Sequence, residues 1–197
     1  MNLPNKLSLL RIIMIPLMLV VFYIPQIPYR FIFTAVIFAV AAFTDFLDGY
    51  IARKYPLVTD FGKFIDPIAD KILVLSAFVI MLTEPVILAG PLGDTFGAII
   101  GGVGVTIIVA REMTVSVLRM IAAEKGIVLA AEKIGKLKTA ITDLAIVFLF
   151  VTAKLVGTVY VVFYYVSLAL YVISVALTIY SGIFYLVKNK ELFNQCK

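Results

Sequence analysis

Apolar residues gather along this chain into six long runs, at about 7–24, 31–52, 64–83, 98–119, 138–154 and 159–187. A hydrocarbon core of ~30 Å takes about 20 residues of helix, so each run predicts one membrane-spanning helix. The last run is long enough to begin or end in the interface. Pro25, Pro28, Pro85 and Pro91 fall in the connections, where a missing N–H costs least. The first run has no small-residue cleavage site after it, and so predicts a span and not a cleaved leader. The segment 119–138 mixes Ile, Leu and Ala with Glu and Lys, a pattern suited to an interfacial amphipathic helix or turn. No soluble domain, low-complexity tract or internal repeat is evident. The expected architecture is all-α: one membrane domain over residues 1–197, a six-transmembrane-helix bundle.

Composition agrees with the pattern. Of the 197 residues 63% are hydrophobic and 15% charged, against roughly half and about a quarter in ordinary soluble domains. Histidine is absent, which excludes imidazole bases, nucleophiles and metal ligands together. The single cysteine, Cys196, excludes an intrachain disulfide.

The net charge of +5 raises the question of nucleic acid. In a chain this apolar, the basic residues instead meet anionic headgroups on the cytoplasmic side, so no nucleic acid is expected. With six spans, fifteen Lys and Arg fall on the side that holds both termini. Only Arg30 and Lys154 fall on the other. Both termini are therefore predicted to be cytoplasmic. The 84–97 connection carries Glu84 and Asp94 and no basic residue, as an outer loop should.

Four acids stand apart. Asp45 and Asp48 close the second span, and Asp66 and Asp70 open the third. The chain reverses between them, which brings both pairs to one depth at the cytoplasmic helix ends. Spacings of i,i+3 and i,i+4 put each pair on one helix face. Gly49, Ala52 and Gly62 lie one turn away, leaving room for a ligand near the backbone. Arg53 adds a planar fork suited to phosphate. Four close carboxylates need shared protons or bound cations. Oxygen-only ligands favour Mg²⁺ or Mn²⁺, and two such ions can clamp a phosphoryl transfer. The plainer reading is a salt-bridge network with Arg53, Lys54, Lys63 and Lys71. It leaves the alternation of acids with Gly and Ala unexplained.

The full string is Asp45-x2-Asp48-Gly49-x2-Ala52-Arg53-x8-Gly62-x3-Asp66-x3-Asp70. It resembles the signature of the CDP-alcohol phosphotransferases at all eight fixed positions, and the six runs extend the resemblance over the chain. The resemblance implies cleavage of a CDP-linked pyrophosphate with release of CMP. It implies that Asp45, Asp48, Asp66 and Asp70 hold two Mg²⁺ or Mn²⁺, with Asp70 also the general base. Asp48, Gly49, Ala52, Arg53 and Gly62, with Thr59 as a weaker candidate, would line the CDP-lipid site. Pro4-Asn5-x2-Ser8-x2-Arg11 resembles the family's segment beside the nucleotide. It brings Asn5 and Ser8 into the same site, with Ser in place of the commoner Thr.

Two further segments bear on the acceptor alcohol. Arg111-Glu112-x6-Arg119 and Gly135-Lys136-x-Lys138-Thr139 resemble segments of the bacterial phosphatidylglycerophosphate synthases within that family. This implies CDP-diacylglycerol as donor and sn-glycerol 3-phosphate as acceptor, with Arg111, Arg119, Lys136 and Lys138 as candidates for binding the acceptor phosphate. Sister activities would use inositol phosphate, serine or phosphatidylglycerol. Asp143 lies inside a span and is given no catalytic role. Gly97-x3-Gly101, with Gly102 and Gly104, permits close helix packing, within the chain or between two copies. The resemblance implies a homodimer. Two readings of other classes compete. A cation or proton transporter needs acids near the midplane and a path to both faces. A non-catalytic scaffold needs no base at Asp70.

Overall fold

Each apolar run becomes a helix, and most helices run past the apolar stretch into polar residues. The computed structural model describes residues 3–54, 60–84, 86–124 and 133–189. Its helices are α1 (Leu3–Tyr23), α2 (Arg30–Lys54), α3 (Asp60–Thr83), the short α4 (Val86–Ala89), α5 (Asp94–Glu124), α6 (Lys133–Thr152) and α7 (Gly157–Lys188). A 3-10 turn, Gly90–Leu92, links α4 to α5. The extensions at Lys54, Asp60, Asp94, Glu124 and Lys133 have a simple cause. Hydropathy measures contact with lipid, whereas backbone hydrogen bonding continues through the interface. Where an interfacial turn is expected, α5 runs on to Glu124 and α6 begins at Lys133; residues 125–132 lie outside the described part.

Three helices are long and apolar enough to cross a membrane among the described residues: Asn5–Tyr23, Asp94–Ala123 and Gly157–Lys188. A fourth span arises if Ile65–Thr83 and Val86–Leu92, bent by 89°, act together. Large apolar side chains such as Ile13, Phe43, Ile99, Val162 and Ile183 point outward. Helix α7 is inverted relative to a water-facing helix. Its buried positions are Tyr164, Ser167, Tyr171, Ser174, Thr178, Ser181, Gly182 and Tyr185, a stripe of polar and small residues. Lipid suits the apolar face, and the polar face finds its hydrogen bonds inside. Tyr164 donates to the carbonyls of Leu88 and Ala89 at 2.9 and 3.0 Å. Tyr171 donates to Gly101 O at 3.0 Å. The Ser167 and Thr152 hydroxyls meet at 2.8 Å.

The six long helices close a ring in the order α1, α2, α6, α7, α5, α3. Its core includes Met18, Phe22, Phe38, Leu73, Phe78, Ile108, Ile146 and Phe150. The glycine stripe of α5 serves this ring. A Cβ at Gly97 would lie 2.4 Å from Ala89 Cα, at Gly101 2.4 Å from Leu88 Cδ1, and at Gly104 2.5 Å from Tyr171 Oη. Three of its four glycines therefore face intrachain neighbours, while Gly102 meets nothing within 4 Å. At the end of the bundle where α1 finishes, Arg30 pairs with Glu84 at 2.9 Å. Its guanidinium lies 5.1 Å from the ring centroids of both Phe22 and Phe31. Lys154, the other basic residue expected there, lies over the Tyr29 ring at 5.8 Å.

Candidate active site

The ring gathers its charges at the opposite end, where α1 begins, α2 finishes and α3 begins. Asn5, Ser8 and Arg11 recur every three residues and form one buried face of α1. That face packs against α2 and α3. Arg11 is fully buried and its Nη1 lies 2.8 Å from Asp45 Oδ1, a carboxylate 40% exposed. Ser8 donates its hydroxyl to Asp66. The polar triplet of α1 is thus tied to the two expected ligand helices at once. Of the basic residues that could have formed a salt-bridge network, Lys71 donates to Ser116 on α5 instead. Asp48, Gly49, Ala52 and Arg53 lie in the last turns of α2, but their side chains are outside the described residues, as is Thr59 altogether. Gly62 is buried in the first turn of α3.

Asp70 opens onto a cavity of about 90 Å³ between α3, α5 and α6. Its polar wall is formed by Asp70 and Lys71 from α3, Glu112 from α5, and Lys138, Thr139, Thr142 and Asp143 from α6. Its apolar wall includes Val74, Phe78 and Ile108. Glu112 is the hub: its Oε1 lies 2.8 Å from Arg111 Nη1 and 2.5 Å from Lys138 Nζ. Gly182 of α7 makes room for Arg111, whose Cγ would lie 3.0 Å from a Cβ there. Among the described residues, the buried Nε of Arg111 has no hydrogen-bond partner.

The four cations expected around the acceptor phosphate divide into two groups. Arg111 and Lys138 meet through Glu112. Arg119 turns to α7, with its Nε 3.4 Å from Tyr185 Oη and its guanidinium over that ring at 5.5 Å. Lys136 is exposed. Sequence reasoning missed two residues here. The sequence shows Glu112 only as a neighbour of Arg111, whereas in the fold it joins both cations. Asp143, to which the sequence gives no role, lines the cavity with Asp70. The available signal was its position: a charge four residues past Thr139, on the face that carries Thr139 and Thr142.

Among the described residues, no three His, Cys, Asp or Glu side chains are gathered closely enough to hold a metal ion. The side chain of Asp48, the fourth expected ligand, lies outside them. The donor chemistry fits a hard divalent cation, because Asp45, Asp66 and Asp70 offer only oxygen. Their charges also act on one another, Asp66 on Asp45 and Asp45 on Asp70. Arg11 is the cation placed to offset that repulsion.

Residues 1–180 match the family model described as CDP-alcohol phosphatidyltransferase. The chain is 37% identical over 204 residues to a Bacillus subtilis protein named CDP-diacylglycerol–glycerol-3-phosphate 3-phosphatidyltransferase, with 96% of each chain covered. A Rickettsia felis protein of the same name is 35% identical over 192 residues, covering 98% of this chain and 97% of its own. One from Rickettsia typhi is 38% identical over 159 residues, covering 81% and 82%. With a helical bundle that turns an apolar face outward, an aspartate-bearing helix pair clasped by α1, and relatives matched over nearly their whole length, the chain belongs to the CDP-alcohol phosphatidyltransferase family.

Proposed function

We propose that this chain transfers the phosphatidyl group of CDP-diacylglycerol to sn-glycerol 3-phosphate, giving phosphatidylglycerophosphate and CMP. The observation that carries the reading is the double clasp of Arg11 on Asp45 and Ser8 on Asp66 beside the cavity of Asp70. It ties the family's N-terminal segment to its aspartate signature. The near-full-length relatives carrying that activity in their names supply the acceptor.

The chemistry follows from the residues. The primary hydroxyl oxygen of the acceptor attacks the phosphorus that bears the diacylglycerol. The bond from that phosphorus to the bridging oxygen breaks, and CMP leaves with that oxygen. The hydroxyl proton passes to Asp70, because an alcohol must lose its proton as the new bond forms. Asp45, Asp48, Asp66 and Asp70 would hold divalent metal, Mg²⁺ or Mn²⁺, which neutralises the pyrophosphate charge when bound. Arg11 holds Asp45 in place, and Ser8 does the same for Asp66. Asn5 shares the buried α1 face with them. Gly49, Ala52 and Gly62 leave room for the CDP group, and Arg53 offers its fork to the phosphate. Lys138 on the cavity wall, with Arg111 behind it through their shared partner Glu112, supplies the positive charge for the acceptor phosphate.

In this reading residues 1–197 form one domain and the six long helices all cross the cytoplasmic membrane. Both termini and the aspartate end face the cytoplasm, supported by the distribution of Lys and Arg. A homodimer is carried by the family resemblance alone.

The test is an acceptor panel. Purified protein is given CDP-diacylglycerol and Mg²⁺ or Mn²⁺ with glycerol 3-phosphate, inositol phosphate, serine or phosphatidylglycerol. CMP release with glycerol 3-phosphate is expected. Release with another acceptor only would reassign the substrate, and ion flux without CMP release would replace the enzyme by a transporter.

A further inference from the structure

Most polar groups in the Asp70 cavity are committed. Glu112 is held by Arg111 and Lys138. Lys71 donates to Ser116. Thr139 and Thr142 donate their hydroxyls to Gly135 O at 3.2 Å and Lys138 O at 2.9 Å, within their own helix. Asp70 is assigned to the reacting hydroxyl. Asp143 remains. Its side chain lines the cavity, and no described residue hydrogen-bonds or ion-pairs with it. A carboxylate inside a span is expensive, so one that faces a polar cavity calls for a ligand or a role. Its charge acts on Asp70 and on Lys138, so the three groups share one space.

We infer that Asp143 is a positioning residue for the acceptor, accepting a hydrogen bond from the second hydroxyl of a vicinal-diol phosphate while Asp70 takes the proton of the first. The inference rests on the glycerol 3-phosphate reading above and deepens it. The elements provide three separate contacts. Lys138 on the cavity wall faces the phosphate, with Arg111 behind it and joined to it through Glu112. Asp70 on α3 faces the primary hydroxyl. Asp143 on α6, across the cavity, faces the secondary one. With both hydroxyls held by different carboxylates, the primary oxygen alone is delivered to phosphorus. Asp143 does not exchange a proton or form a bond in the reaction.

The experiment compares sn-glycerol 3-phosphate with 1,3-propanediol monophosphate, which keeps the reacting hydroxyl and the phosphate and lacks the second hydroxyl. A hydrogen bond to a charged group accounts for about ten- to a hundredfold in preference. Full-length wild type should therefore favour glycerol 3-phosphate by that factor in kcat/KM. Asp143→Ala should bring the preference to within about threefold, and Asp143→Asn should fall between. Both variants should lose activity with glycerol 3-phosphate, keep it with the analogue, and leave the KM for CDP-diacylglycerol unchanged. Wild type that uses both acceptors equally would overturn the inference whatever the variants do. So would variants that keep the wild-type preference, or that lose activity with both acceptors in equal measure. Wild type that releases no CMP with glycerol 3-phosphate would instead overturn the functional reading itself.

Discussion

Arg11 was visible in the sequence as a motif position and as one of many cytoplasmic cations; its burial against Asp45 was not. The reason is physical. Spacing places a side chain on a face, but only the packing of α1 against α2 and α3 decides what that face meets. The same limit applies at Asp143 and Glu112, whose roles depend on α3, α5 and α6 closing one cavity. The four aspartates stand out in the sequence because the family signature fixes residue types at fixed spacing. Two predictions belong at this scale. Arg11→Met should lower unfolding stability in detergent by about 3 kcal/mol, the lower end of the range for breaking a buried pair, since Asp45 remains partly solvated. Chelation with EDTA should abolish CMP release, and added Mg²⁺ or Mn²⁺ should restore it; activity that persists in EDTA would remove the metal from the account.

The helical character of each apolar run was legible at the level of elements; among the described residues, three helices, or four with the bent pair, are long and apolar enough to cross a membrane. The break after Thr83 was legible too, as the end of the 64–83 run, but the extensions into polar residues and α4 were not. The packing of α4 and the 3-10 turn at Gly90–Leu92 on α5 is something hydropathy does not report. The glycine stripe of α5 left intrachain and interchain packing open, and geometry assigns three of its four positions inside the chain. This grades a substitution series measured by thermal unfolding in detergent. Gly97→Ala meets backbone atoms of Leu88 and Ala89 that cannot swing aside, and should cost about 1–3 kcal/mol. Gly104→Ala meets the far end of Tyr171 and should cost less. Gly102→Ala should be neutral, since nothing lies within 4 Å. A large loss at Gly102 with none at Gly97 would point to a different packing partner for this helix.

Across the whole molecule, charge is divided between two ends. One end holds Arg30, Glu84 and Lys154; the other holds the aspartates, Arg11, Glu112 and Lys138. That division was legible in the Lys and Arg distribution, and the order of helices around the ring was not, because sequence carries no direct record of which apolar faces meet. The sole cysteine gives a direct check on orientation. A membrane-impermeant maleimide should label Cys196 in inverted vesicles and spare it in right-side-out ones; the reverse would flip the topology. The central claim is that phosphatidyl transfer runs at the aspartate end with Asp70 as base. Its most direct measurement is CMP release, with the lipid product identified by mass, for wild type and Asp70→Asn side by side with CDP-diacylglycerol and glycerol 3-phosphate. Phosphatidylglycerophosphate from wild type is predicted, with turnover about 10²–10⁴-fold lower in Asp70→Asn and donor binding retained. Equal turnover by the two proteins would contradict it.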